Sequence, residues 1–279
     1  MLSRIEIEKL HNGNASLNNS CVLIKNSLNG RIFQHHRFIS KSFFLKREEF
    51  SLYNETQARH FFPRQTVPLE DVWSSDGFGY IVYKKVHNIY NGHWRFWEWF
   101  LKKPIQRQLL QLAVKSEEKC ADWVEKALVK YRFSGLDDYE IKVAVTKILD
   151  KLTKKFASNT LYTSFCHGDL TCNNLLITPR LKLVLIDWTN GGACPIFYDQ
   201  VVPYLYDSSQ PIFKNQKLID DIRNVNRAEF MCTTQEQIQT QITCSVIHFV
   251  LYNAYRHDTQ DADTTNEGLS ILKQIMGMI

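Results

Sequence analysis

The residues best suited to chemistry lie in Ser164-Phe165-Cys166-His167-Gly168-Asp169-Leu170-Thr171-Cys172-Asn173-Asn174-Leu175-Leu176, a polar knot flanked by apolar residues. A second apolar run, Leu181-Lys182-Leu183-Val184-Leu185-Ile186, follows and ends in Asp187-Trp188. Two strands joined by the turn Thr178-Pro179-Arg180 would set Asn174 beside Asp187, with Asp169 on the loop before them. Such a set suits phosphoryl transfer. The transferred group is strongly anionic and its transition state loose, so catalysis is mostly positioning and charge neutralisation. Magnesium takes one or two protein oxygens, which an Asp and an Asn supply, and leaves its other positions to phosphate and water. A separate carboxylate, Asp169, would accept the proton of an attacking hydroxyl. Gly168 lets the backbone turn tightly beside it. His-Gly-Asp with an Asn five positions past the Asp arises by chance in roughly one chain per several hundred of this length. The plainer reading is a structural loop in which Asp169 and Asn174 cap turns and His167 packs in a core.

As they stand, HGDLTCNN followed by LVLIDW resembles the aminoglycoside phosphotransferase and choline kinase-like families, relatives of the protein kinases. The likeness is specific over about residues 164–200. It implies a bilobal, protein-kinase-like α+β fold, with Asp169 as catalytic base and His167 as a member of the catalytic loop. It implies Asn174 and Asp187 as magnesium ligands. Asp199, in Pro195-Ile196-Phe197-Tyr198-Asp199, matches the acidic residue that braces that loop. Only a short stretch separates Asp187 from Asp199, and no Ala-Pro-Glu closes it, which favours the small-molecule branch over protein kinases.

The same likeness asks for a strand lysine paired with a helix glutamate around the nucleotide phosphates. Lys41 and Glu55 are the candidates, with Lys25, Lys46 and Glu49 as competitors. The phosphate-covering loop would be His11-Asn12-Gly13-Asn14-Ala15-Ser16, between the first two strands, with Gly13 and Asn14 nearest the nucleotide. Order along the chain puts the adenine-holding hinge near Val82–Lys85.

The elements needed to position these residues are legible in outline. Ile5–Leu10, Ser20–Lys25, Arg31–Phe33, Arg37–Phe44 and Gly79–Tyr83 read as strands separated by Asn/Gly/Ser turns. Arg47–Phe62 reads as a helix stopped at Pro63. Gln106–Tyr131, Asp137–Phe156 and Gln235–Tyr255 carry helical spacing, with Glu117-Glu118-Lys119 a charged helix face. The expected division is a β-rich nucleotide lobe at residues 1–85 and a mainly helical lobe at residues 86–279.

The chain has 279 residues, 44% of them hydrophobic, enough for one large core or two modest lobes. A net charge of +5 suits an anionic ligand without specifying one. The seven cysteines are scattered and never spaced C-x-x-C, so free thiols in a reducing cytoplasm are expected. MLSRIEIEKLHNGN lacks the apolar region of a signal peptide, and no run reaches transmembrane length. The segment from Asn91 to Pro104 sets Trp94, Phe96, Trp97, Trp99 and Phe100 among basic residues. Packing in the second lobe is its first reading, and a peripheral contact with the inner membrane or stacking on a sugar the second. Asp207, Asp220, Asp221 and Glu229 could meet a cationic acceptor or form solvated faces. The expectation is an ATP- and Mg²⁺-dependent kinase acting on a hydroxyl of a sugar, amino sugar, amino alcohol or glycolipid core, without nucleic acid or an obligate protein partner. The alternative is a pseudokinase that binds nucleotide as a scaffold.

Overall fold

The computed structural model describes residues 2–13, 21–27, 30–44, 50–90, 94–112, 115–207, 212–226 and 234–259. They fall into two compact units, Met1–His93 with Thr171–Asn190, and Trp94–Leu170 with Gly191–Ile279. The segment 171–190, which a division at residue 85 assigns to the second lobe, thus groups with the first unit.

The first unit is built on an antiparallel sheet in the order β1-β2-β3-β5-β4. Its strands are β1 (Cys21–Ser27), β2 (Gly30–His35), β3 (Phe38–Phe44), β4 (Leu69–Ser75) and β5 (Phe78–Lys84). Side chains alternate across a strand, so β3 sends Phe38, Ser40 and Ser42 to one face and Ile39 and Lys41 to the other. The first face is covered by helix α1 (Arg4–His11), where the sequence pattern Ile5-Glu6-Ile7 suggested a strand. Helical spacing explains the difference. Ile7 and Leu10, three apart, are buried, while Ile5 is 63% exposed. Ser3 and Glu6 form a reciprocal capping box, a signal present in the sequence as Ser-x-x-Glu. Ile7 packs with Phe38, Tyr80 and Val82, and Leu10 with Cys21 and Phe33. Buried His11 bonds both Ser42 Oγ and Ser40 Oγ at 2.9 Å. Burial, then the charges of His35 and Arg31, push its pKa down to about 3, so it stays a neutral ring.

Helix α2 (Ser51–Phe61) buries Ser51, Asn54, Glu55 and Ala58, one face at helical spacing. The short strands β8 (Leu175–Ile177) and β9 (Leu183–Leu185) form the expected hairpin, with Leu175 opposite Leu185. Its turn closes through Leu181 N donating to Thr178 O at 2.8 Å. The hairpin is tied into the unit at both edges. Leu185 N donates to Gln65 O at 2.6 Å, and Ile89 N to Ile177 O at 2.8 Å. Asn88 Oδ1 accepts from Ile177 N at 2.8 Å and from Tyr90 N at 3.0 Å, pinning the stretch after β5 to β8.

The second unit holds a three-stranded sheet, order β10-β7-β6, of β6 (Lys115–Lys119), β7 (Thr160–Cys166) and β10 (Gly192–Pro195). Around it lie α3 (Trp94–Phe96), α4 (Lys102–Leu112), α5 (Cys120–Lys130), α6 (Tyr139–Phe156), α7 (Tyr198–Asp207), α8 (Gln216–Asn226) and α9 (Gln235–Thr259). The single helix read over 106–131 is two helices with β6 between them. Glu117-Glu118-Lys119 lies on this edge strand rather than on a helix, and charge on an edge discourages pairing with another chain. Helix α9 is the unit's centre. Ile242, Thr243, Cys244, Ser245, Val246 and Ile247 are all buried, as a helix enclosed on every side requires.

Trp97 is buried, while Phe96 and Phe100 are exposed, so the aromatic segment serves the core only in part. None of the helices among the described residues is long and apolar enough to cross a membrane. Cys21, Cys120, Cys166, Cys194 and Cys244 are buried free thiols and Cys172 is partly exposed; Cys232 lies outside the described residues.

Gly30 sits at φ +156°, and a Cβ there would stand 1.9 Å from the Ser42 carbonyl oxygen. Gly30→Ala is therefore expected to lower the unfolding free energy by roughly 2 kcal/mol, read from a urea melt; an unchanged midpoint would show that the strands can part at no cost.

Candidate active site

In the first unit Lys41 and Glu55 meet as the sequence suggested. Lys41 Nζ lies 3.1 Å from Glu55 Oε1 and 2.6 Å from Asp187 Oδ1. It also donates to Thr189 Oγ1 at 3.0 Å, and the Thr189 hydroxyl bonds Asp187 Oδ1 in turn. The lysine arrives on β3, the glutamate on α2, and the aspartate just beyond β9. Burial opposes the lysine's charge, but the carboxylates of Glu55 and Asp187 outweigh it and hold the ammonium above its ordinary pKa. Asp187 adopts a left-handed backbone, φ +61°, which turns the chain directly after the strand. The competitors Lys46 and Glu49 lie outside the described residues, and nothing is described of the Lys25 side chain.

Ile186 N donates to Asn174 O at 2.9 Å, so the hairpin holds Asn174 across from the residue that precedes Asp187. Asn174 is buried, in a short 3₁₀ turn, Cys172–Asn174. A carboxylate and an amide oxygen flanking one hairpin are hard donors, and they fit an ion that takes one or two ligands from protein and the rest from phosphate and water.

Beside Lys41 opens a cavity of about 270 Å³. Ile39, Val67, Leu69, Leu185 and Val86 supply apolar walls, and Lys41, Glu55 and Asp187 a charged end. Tyr83 also lines it; burial first, then Glu55 and Asp187, push its pKa well above the ordinary value and keep the phenol neutral. Its hydroxyl feels the Glu55 charge without reaching hydrogen-bonding geometry. Of the stretch read as a hinge, Val82–Lys84 belongs to β5, and Lys85 N donates to Arg37 O at 3.0 Å. Val86, one residue further, lines the cavity with a main chain that makes no hydrogen bond among the described residues.

The loop His11–Ser16 does not join two strands. Gly13 follows α1, at φ +77°, and Asn14 lies outside the described residues. The sheet's first hairpin is β1–β2, where Ser27 pairs with Gly30. Because Arg4–His11 is a helix rather than a strand, the first hairpin lies one element later in the chain than the sequence suggests.

In the second unit, strand β7 delivers His167, Gly168 and Asp169 at its end. His167 is fully buried, and its Nδ1 accepts from Asp169 N at 3.3 Å. Gly168 takes φ +83°, a conformation glycine adopts without steric cost. Asp199, in the first turn of α7, accepts from His167 N at 2.9 Å and from Gly168 N at 2.7 Å. Burial raises the Asp199 pKa to about 7, against the pull of these two N–H donors. Gln106 Nε2 donates to the Asp199 carbonyl at 3.3 Å, a buried support that no sequence motif marked. Of the acidic residues held open for an acceptor, Asp221 binds Lys103 at 2.9 Å and the Tyr204 hydroxyl at 2.6 Å. Asp220 bonds Gln216 on its own helix, Glu229 lies outside the described residues, and nothing is described of the Asp207 side chain.

Residues 98–215 match the model of the phosphotransferase enzyme family. The fold is similar to that of a thermostable mutant of aminoglycoside phosphotransferase APH(4)-Ia, solved with AMP-PNP and hygromycin B (TM-score 0.58, 11% identity, 93% of each chain covered). It is likewise similar to choline kinase LicA from Streptococcus pneumoniae (TM-score 0.57, 13% identity, 98% of each chain). None of the curated proteins matches in sequence. The class is thereby defined at the level of fold: an α+β, protein-kinase-like fold in which residues 98–215 match the phosphotransferase model.

Between its ordinary value of 3.8 and about 7, folded Asp199 holds its proton more tightly than the unfolded chain does. Its contribution to stability therefore falls as pH rises through that window and is level outside it. The melting-temperature difference between the protein and Asp199→Asn is expected to shrink or reverse across this range, on top of about 1–3 kcal/mol lost with the acceptor oxygen. A difference independent of pH would mean that the carboxylate is ionised throughout.

Proposed function

We propose that this protein is an ATP-dependent phosphotransferase that moves the γ-phosphoryl to a hydroxyl of a small polar molecule. The observation that carries the reading is Lys41 held between Glu55 and Asp187 in the wall of a largely apolar cavity. An adenine fits the apolar walls, with the Val86 main chain offering the hydrogen bonds a purine edge needs. Lys41 then serves the α- and β-phosphates, and Glu55 keeps it charged and aimed. Asn174 and Asp187 hold Mg²⁺, which when bound neutralises the phosphate oxygens and favours the in-line transfer.

Asp169 accepts the proton of the attacking hydroxyl as the oxygen–phosphorus bond forms. The His167 ring and the Asp199 carboxylate fix the backbone on either side of Gly168, so the base is held by groups that do not react. Preorganisation of this kind suits a reaction whose barrier is lowered mainly by placement. The family segment at 98–215 and neighbours solved with an ATP analogue or AMP support a nucleotide-dependent reaction. Hygromycin B in one neighbour, and the choline kinase name of another, support a sugar, amino sugar or amino alcohol as acceptor class.

The test is transfer from γ-labelled ATP with Mg²⁺ into a cell extract separated into aqueous, lipid and protein fractions. Label is expected in the aqueous fraction, and Asp169→Asn and Asp187→Ala are each expected to lower it at least a hundredfold. Label in the lipid fraction would reassign the acceptor to a glycolipid. Nucleotide binding without label in any fraction would replace the enzyme by a nucleotide-binding scaffold.

A further inference from the structure

Thr189 stands two residues past Asp187, in the short turn Trp188–Asn190. Its polar atoms converge on the charged end of the cavity. The hydroxyl accepts from Lys41 Nζ at 3.0 Å and donates to Asp187 Oδ1, the same oxygen that Lys41 reaches at 2.6 Å. Its carbonyl accepts from Asn54 Nδ2 at 3.0 Å, and Asn54 is buried on α2 beside Glu55. Trp188, between Asp187 and Thr189, is fully buried, stacked on Phe62 at 5.3 Å, with Nε1 donating to Leu185 O at 3.3 Å. The turn is therefore held on three sides while its one hydroxyl points at the lysine–aspartate pair.

We infer that Thr189 is a positioning residue for phosphoryl transfer, fixing the Asp187 carboxylate so that it meets the metal–nucleotide complex in a single orientation. The inference rests on the reading of Asp187 as a metal ligand. The terminal torsion of a carboxylate is broad, so each donor on its oxygens narrows the orientation it takes. The Thr189 hydroxyl adds such a donor on the oxygen that Lys41 meets, carried by a turn clasped to α2. Supporting groups of this kind orient metal ligands and tune them, and their loss typically costs ten- to a hundredfold in metal affinity or activity. The hydroxyl also supplies Lys41 with an uncharged acceptor, which stays in place when phosphate draws the ammonium away from Asp187.

The experiment measures binding of a fluorescent ATP analogue with and without Mg²⁺, beside kcat, for the parent protein, Thr189→Val, Thr189→Ser and Asp187→Ala. Thr189→Val keeps the shape and removes the hydroxyl. It is expected to weaken Mg²⁺-dependent nucleotide binding roughly tenfold and lower kcat by a similar factor, with Mg²⁺-free binding within about twofold of the parent. Thr189→Ser restores the hydroxyl and is expected to recover most of both. Should the valine variant fold poorly, Thr189→Ala is expected to give the same split. Parent-like Mg²⁺ dependence in the folded Val or Ala variant, with Asp187→Ala defective, would overturn the role of Thr189 alone. A parent protein that binds nucleotide equally with and without Mg²⁺ and transfers no phosphoryl would overturn the reading of Asp187, and this inference with it.

Discussion

One cation between two carboxylates organises the first unit. Lys41 is largely removed from water, Glu55 almost completely so, and Asp187 remains partly exposed. Burying a charge is costly unless a partner of opposite sign and well-placed hydrogen bonds offset the lost hydration. The three side chains together carry one excess negative charge, which favours a further cation over a bare anion beside them. The arrangement also dictates local structure. Strand β3 must present Lys41 on the face opposite α1, α2 must turn Glu55 inward, and β9 must stop so that Asp187 can leave the strand at positive φ. A shift of β3 by one residue would carry Lys41 to the α1 face and put Ser40 or Ser42 in the cavity.

Buried polar groups on the two faces of the sheet are handled in opposite ways. Under α1 the histidines and serines stay neutral and are satisfied by one another: His11 spans Ser40 and Ser42, and His35 Nε2 meets Ser40 at 3.0 Å. On the cavity face the groups keep their charges and rely on pairing. The neutral ladder fixes the strand that the charged cluster needs fixed, because Ser40, Lys41 and Ser42 are consecutive on β3.

The second unit treats the loop at His167–Asp169 in the same way. A buried carboxylate on α7 meets two consecutive backbone N–H groups, at His167 and Gly168, and so defines the path of the chain into Asp169. Ionised Asp199 is poorly solvated, and these two donors are what make its charge tolerable. Strand pairing continues the support: β10 pairs with β7 from Cys166 to Thr163 and anchors the strand that ends in the loop.

Much of this was legible in the sequence because it is local. The His-Gly-Asp loop, the Asn and Asp at the two strands of a hairpin, the amphipathic spacing of α2 and α6, and the lysine on an alternating strand all express themselves within a few neighbouring residues. Even α1 was encoded locally, by the Ser3–Glu6 capping box, though its alternating isoleucines read as a strand. What only the tertiary structure decided are relations between residues far apart in the chain: Lys41 with Asp187, Asn54 with Thr189, Asp199 with His167 and Gly168, and the grouping of 171–190 with the first unit. A strand's or helix's pattern records which face is apolar, since hydrophobic burial acts on each residue singly. It does not record which charged partner will meet that face, because such pairings depend on how separate elements come together.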